Sequence, residues 1–242
     1  MTNKIPVFEG FHPEAFKYLK GLERNNNINW FAKHREEYEE HLVMPAKSFI
    51  TSIAPFFNHV NPGIRTEPKF NQTIMRISND MRFSKGDPYR NYFLVHFGKF
   101  KMDSEFYLYF DKTGISFGLF LNRTDGEELY FKKNLVEYEN EIKELFVKYK
   151  LDGKFNLLSI NKSPELIINK FRTDKHFGKL LEVKHILLET GFGLEKKQIY
   201  NAEILTKIIK TYSCLYPLYC FAISPDPIKL LEAFEDNMGV VV

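Results

Sequence analysis

EFYLYFDKTGISFGLFL, residues 105–121, decides the fold class. Two apolar, aromatic-rich runs flank Asp111-Lys112-Thr113-Gly114. A short loop ending in glycine between such runs is a hairpin signal. Strands are therefore predicted over residues 105–110 and 115–121. Just upstream, residues 92–100 read as another strand. Before them, residues 72–77 set Thr73, Met75 and Ile77 against Ile74 and Arg76, a period of two that reads as the first strand. Connections this short leave no room for parallel crossovers, so an antiparallel meander is expected.

Helical patterns lie on both sides. His12-Pro13 opens a first helix with Phe16, Leu19 and Leu22 at helical spacing, and Asn25-Asn26-Asn27 ends it. A second helix over 29–42 places Trp30, Phe31, His34, Tyr38 and Leu42 on one face, and Pro45 ends or restarts it. A third covers 46–58, with Pro55 as a kink or early stop. Residues 61–72 read as a loop. After the meander, Thr124-Asp125-Gly126-Glu127 fits a capping box for a long helix over 128–149. Residues 151–159 hold a short strand or loop, and Pro164 starts a short helical piece. Further helices are predicted over 177–189, stopped by Gly191, and over 201–221, bent by Pro217. Residues 225–237 close the pattern. Helices, a meander, then helices give an α+β fold, an antiparallel β-meander packed against N-terminal and C-terminal helices, in a single domain over 1–242.

Composition sets bounds on function. Of 242 residues, 44% are hydrophobic and 27% charged, which is ordinary for a globular chain with a sizeable core. The 24 Phe and 13 Tyr point first to a phenylalanine-rich core and second to aromatic recognition surfaces. Net charge is only +3, from 34 basic and 31 acidic residues, so nucleic acid is not expected as a partner through bulk charge. A local basic patch stays open. Cys214 and Cys220 read as buried free thiols, since a spacing of six puts them on different faces of a helix. The histidines show no metal-ligand spacing, and no phosphate-loop, dinucleotide or nucleophile-elbow motif occurs, so neither metal nor cofactor is expected. The opening MTNKIPVFEG is unlike a signal peptide, and no run of 18 apolar residues suggests a membrane span. The expected location is the cytoplasm.

The densest chemistry lies in RISNDMRFSKGDPYRNY, residues 76–92. Arg76, Arg82, Lys85 and Arg90 gather around a turn, and guanidinium forks suit carboxylate and phosphate. Asp80 is placed to orient one of them, and Tyr89 and Tyr92 offer hydroxyls or stacking faces. One reading is a site for a small anion. The other is a set of salt bridges pinning a long turn. The second candidate is Asn25-Asn26-Asn27 with the Trp30, Phe31, His34, Tyr38 face, where His34 could serve as general base or the face could simply dock into the core. Asp80 of the first cluster is the other acid or base candidate.

These residues resemble a bacterial family, domain of unknown function 2461. Its members are similar to a helix ending in paired asparagines, then Trp-Phe, then a spaced Tyr and Pro, here Asn25, Asn26, Trp30, Phe31, Tyr38 and Pro45. Its strongest signature resembles R-x-x-R-D-x-R-F before a Lys and a Pro-Tyr turn, here Arg76, Asp80, Arg82, Phe83, Lys85, Pro88 and Tyr89. Two departures lower the positive charge: Asn79 stands where the family usually has arginine, and the turn before Pro88 is shorter and lacks a second lysine. The Pro-Lys-Gly segment common among members is not evident near residues 171–177. The resemblance runs over nearly the full chain and is most specific in its first hundred residues. It implies a family and no activity.

Three functions follow. The first is a small-anion (phosphate or carboxylate) ligand-binding or enzymatic domain using Arg76, Asp80, Arg82, Lys85, Tyr89 and Arg90. The second is a nucleic-acid or protein binding module without catalysis, using the basic and aromatic residues of the meander. In the third, the cluster is structural only. Oligomeric state is not legible.

Overall fold

The N-terminal helices start where their caps dictate. A computed structural model describes residues 5–81, 86–100, 103–161, 163–191 and 194–238. His12 is extended and its side chain accepts from the Glu14 N–H, while Pro13 occupies the first turn of α1 (Pro13–Arg24), where its missing N–H costs nothing. Asn27 caps α2 (Ile28–Lys33) by accepting from the Trp30 N–H. The helix predicted over 29–42 is interrupted. His34 leaves helical geometry (φ −110°, ψ 19°), and α3 (Arg35–Tyr38) runs into a π-helical turn, Glu39–Val43. α4 (Met44–Val60) continues through Pro55, so of the expected kink or early stop the stop does not occur.

Next come β1 (Phe93–Phe97), β2 (Glu105–Phe110) and β3 (Ile115–Asn122), close to the predicted strands. Asp111 pins their hairpin, its Oδ1 accepting from the N–H groups of Thr113 and Gly114. Residues 72–77 do not form a strand. They lie along β1 through one isolated bridge, Ile74 to Val95, with Met75 N–H donating to Leu94 O at 3.0 Å and His96 N–H to Thr73 O at 2.9 Å. The left-handed Asn71 (φ 62°) turns the chain just before them and cuts the ladder short.

The capping box is also overturned. Asn122 Oδ1 takes both the N–H and the hydroxyl of Thr124, and α5 (Phe131–Glu137) starts later, with Tyr130 at its N-cap position. Tyr138 (φ −117°) separates it from α6 (Glu139–Lys148), so the single long helix is two. The predicted helical piece at Pro164 is instead a strand: β4 (Asn156–Ile160) pairs with β5 (Pro164–Ile168). Proline opens a strand at a sheet edge without loss, because its N–H is not needed there. The helix expected over 177–189 is α7 (Thr173–Glu182) followed by β6 (His185–Thr190). Ile186, Leu187 and Leu188 are all buried, and a continuous apolar run of that kind has no period to separate strand from helix. α8 (Lys196–Ile199), α9 (Glu203–Ile223) and α10 (Pro227–Met238) complete the chain, and α9 runs through Pro217.

The strands form one antiparallel six-stranded sheet in the order β1-β2-β3-β6-β4-β5, which confirms the α+β class and enlarges the meander. The chain makes two compact units. The first holds Met1–Phe97, Leu108–Ser116 and Gly191–Lys207; the second holds Gly98–Tyr107, Phe117–Thr190 and Ile208–Val242. In the first, Phe57 of α4 lies 4.6 Å from Phe97 of β1 between ring centroids. In the second, Phe106 of β2 meets Tyr212 and Tyr219 of α9 at 5.0 and 4.9 Å, and Tyr212 hydroxyl donates to Tyr107 O at 2.7 Å. Most of the aromatic excess is therefore core, as the plainer reading had it. Cys214 and Cys220 are buried free thiols. Among the described residues no helix is long and apolar enough to cross a membrane, and no group of metal-ligating side chains occurs.

Candidate functional site

Residues 76–79 and 87–90 form a short antiparallel ribbon in the first unit. Ser78 bridges Tyr89, Asn79 N–H donates to Pro88 O at 2.8 Å, and Arg90 N–H donates to Ile77 O at 2.7 Å. Asn79 adds its side-chain Nδ2 to Asp87 O at 2.8 Å. The neutral Asn79 amide thus helps close the ribbon. Arg82, Phe83 and Lys85 lie outside the described residues.

The described arginines have different duties. The Nη1 of Arg90 donates to Arg76 O at 2.8 Å and to Ser78 O at 2.6 Å, so its guanidinium clamps the opposite arm. Arg76 is exposed. With the Asn71 amide oriented so that its oxygen faces the guanidinium, that oxygen accepts from Arg76 Nη2 and Nε at 3.1 and 3.3 Å. Sequence reading missed Asn71. An asparagine, which tolerates left-handed geometry, between Phe70 and Gln72 was the available signal. Asp80 is on the exposed side of the ribbon.

Tyr89 ties the ribbon to the helices. Asn26 Nδ2 donates to Tyr89 O at 2.7 Å, and Tyr89 N–H donates to Asn26 Oδ1 at 3.1 Å. The Tyr89 ring stacks on Phe31 at 4.2 Å and 15°. From Phe31 an aromatic chain continues to Tyr38 at 5.4 Å, Tyr18 at 5.9 Å from Tyr38, and Trp30 at 5.4 Å from Tyr18. His34 stacks on Trp30 at 4.0 Å. Its Nδ1 lies 2.8 Å from Trp30 O, and a carbonyl can only accept, so Nδ1 carries the proton and Nε2 is the basic nitrogen of the neutral ring. The two sequence candidates, the loop and the Trp30–Tyr38 face, are thereby parts of one assembly. Tyr18 belongs to it too, a member that no motif marked.

A broad groove elsewhere, of about 650 Å³, is lined by Lys148, Asp152, Arg172 and Asp174. These four charges are engaged within the protein. Lys148 meets Glu235 at 2.6 Å, Arg172 meets Asp174 at 3.0 Å, and Asp152 accepts from the Thr173 N–H.

A family model described as conserved hypothetical protein (DUF2461) matches residues 14–221. The chain belongs to this family. The DUF2461 match takes in Tyr18, Asn26, Phe31, Arg76, Tyr89 and Arg90, so the whole ribbon-and-aromatic assembly is inside the family's span. No curated protein and no solved structure matches the chain.

Proposed function

We propose that the 76–92 ribbon binds a small anion, through a phosphate or carboxylate group. Arg76 is its described contact, with Arg82 and Lys85 as further cations, Asp80 as an orienting carboxylate and Tyr89 as a hydroxyl donor. One observation carries the reading. The hydrogen bonds that fix Arg76 and Arg90 end on amide and carbonyl oxygens, so among the described residues neither guanidinium is neutralised by a carboxylate. A preset, uncompensated guanidinium is what a bidentate anion site needs. Arg90 serves the ribbon's shape and Arg76 its outward face. If the domain is an enzyme, His34 Nε2 is the acid or base within the same assembly. The setting that accompanies this reading is a bacterial cytoplasm.

The test is a calorimetric titration with inorganic phosphate and with acetate. Saturable binding is expected, weakened about tenfold or more by Arg76→Gln and by Arg82→Gln. Absence of saturable binding up to about 10 mM ligand sinks the proposal. Association with single-stranded oligonucleotides that falls steeply with salt would instead favour a nucleic-acid module.

A further inference from the structure

Among the described residues, two phenols beside the ribbon have no hydrogen-bond partner. Tyr18 of α1 and Tyr38 of α3 are 3% and 4% exposed, and both hydroxyl oxygens are sealed from solvent with no hydrogen bond. Buried polar groups are paired in the great majority of cases, and an exception calls for a reason. Phenylalanine at either position would keep the ring packing and avoid the cost of an unmade bond. Burial pushes both phenols up, helped by Glu37 and Tyr89 around Tyr18 and by Glu39 and Tyr18 around Tyr38, so both keep their protons and remain donors.

Their surroundings restrict what could accept. Trp30 is 5.4 Å from Tyr18, and Phe31 and Phe93 are 5.4 and 6.1 Å from Tyr38 between ring centroids. A phosphate dianion gives up too much hydration to enter such an apolar nest on two neutral donors. A carboxylate has one charge, two acceptor oxygens and an organic body that can lie against rings.

We propose that the Tyr18 and Tyr38 hydroxyls form a donor pair for the carboxylate of a small organic acid whose apolar body packs among Trp30, Phe31 and Phe93. This rests on the ribbon being an anion site and narrows its ligand class from phosphate or carboxylate to carboxylate. Both oxygens are closed off, so entry requires one of the surrounding rings to turn.

The experiment titrates the full chain with cyclohexanecarboxylate and with inorganic phosphate, by calorimetry at fixed ionic strength. It compares the wild type with Tyr18→Phe, Tyr38→Phe and Arg76→Gln, and records unfolding midpoints alongside. The carboxylate is expected to bind more tightly than phosphate. Each phenylalanine variant is expected to weaken carboxylate binding about tenfold with the midpoint unchanged or raised. Unchanged affinity in both phenylalanine variants, with Arg76→Gln still weakening binding, overturns the donor pair and leaves the ribbon reading intact; the hydroxyls would then hold at most a buried water. Tighter binding of phosphate overturns the choice of carboxylate. Failure of the wild type to bind either ligand removes the ribbon reading itself and this one with it. Should a variant not fold, the wild type decides: the carboxylate, which does not absorb in the near ultraviolet, must perturb the tyrosine band, and an unperturbed band overturns the proposal.

Discussion

The Asn26 side chain pairs with the backbone of Tyr89 as a neighbouring strand would, donating from Nδ2 to the carbonyl at 2.7 Å and accepting from the N–H at 3.1 Å. One amide thus satisfies both polar groups of a half-buried residue and joins the end of α1 to the ribbon. Asn26→Ala removes both bonds and leaves the Tyr89 groups to be satisfied by water. A loss of about 1–3 kcal/mol in urea unfolding is expected, with faster hydrogen exchange at Tyr89. Stability and exchange like those of the wild type would show that the Phe31 stack alone holds the ribbon.

Arg90 and Arg76 should separate cleanly. Arg90→Ala breaks two bonds to backbone carbonyls and is expected to cost about 1–2 kcal/mol. Arg76→Gln, at an exposed position, should change stability by less than about 0.5 kcal/mol. Thermal unfolding of the two variants checks the order, and a larger loss for Arg76→Gln would reverse the roles assigned to them.

In the second unit, Asp103 is fully buried; its Oδ1 accepts from the Ser104 N–H, and its Oδ2 has no hydrogen-bond partner among the described residues. Its carboxyl is raised from 3.8 to about 7 in all, by burial as the largest cause and by Glu105, with the Ser104 bond and Lys99 opposing the rise. The folded state then binds this proton more tightly than the unfolded chain does. Its contribution to stability is complete below about pH 4 and is lost as pH rises through 7. Asp103→Asn keeps the Ser104 bond and abolishes the titration. It should be near neutral at pH 4 and stabilising by on the order of 2–4 kcal/mol at pH 8. Equal effects at the two pH values in denaturant unfolding would show that Asp103 does not titrate in this way.

Gly118 of β3 allows a close approach by β6. A Cβ built there would lie 1.8 Å from Leu188 O, which is backbone and cannot swing aside. Gly118→Ala is therefore expected to cost at least about 3 kcal/mol or to prevent folding of the second unit. Gly114, where an added Cβ meets nothing within 4 Å, is the control, and Gly114→Ala should be within about 0.5 kcal/mol of wild type. Similar midpoints for both variants would contradict the β3–β6 geometry.

The parts of the fold legible in the sequence are those governed by local chemistry. His12-Pro13 marked the start of α1, and Asp111 to Gly114 marked the hairpin, because a cap or a turn is decided by residues a few positions apart. β6 was read as helix because Ile186 to Leu188 are buried as a continuous run, and a period needs a solvent-facing side to become visible. The break at His34 and the unbroken run through Pro55 likewise follow from packing and not from propensity.

The sequence by itself determined the α+β class, the antiparallel hairpin, the family and the concentration of charge in residues 76–92. Only the tertiary structure decided that Arg90 clamps carbonyls while Arg76 is exposed, that Asn26 and Phe31 hold Tyr89, and that the Tyr18 and Tyr38 hydroxyls are buried without a partner among the described residues. The reason is physical. Charge and turn chemistry are properties of neighbouring residues, whereas a hydrogen bond across 63 positions, as between Asn26 and Tyr89, exists only once the chain has brought both ends together.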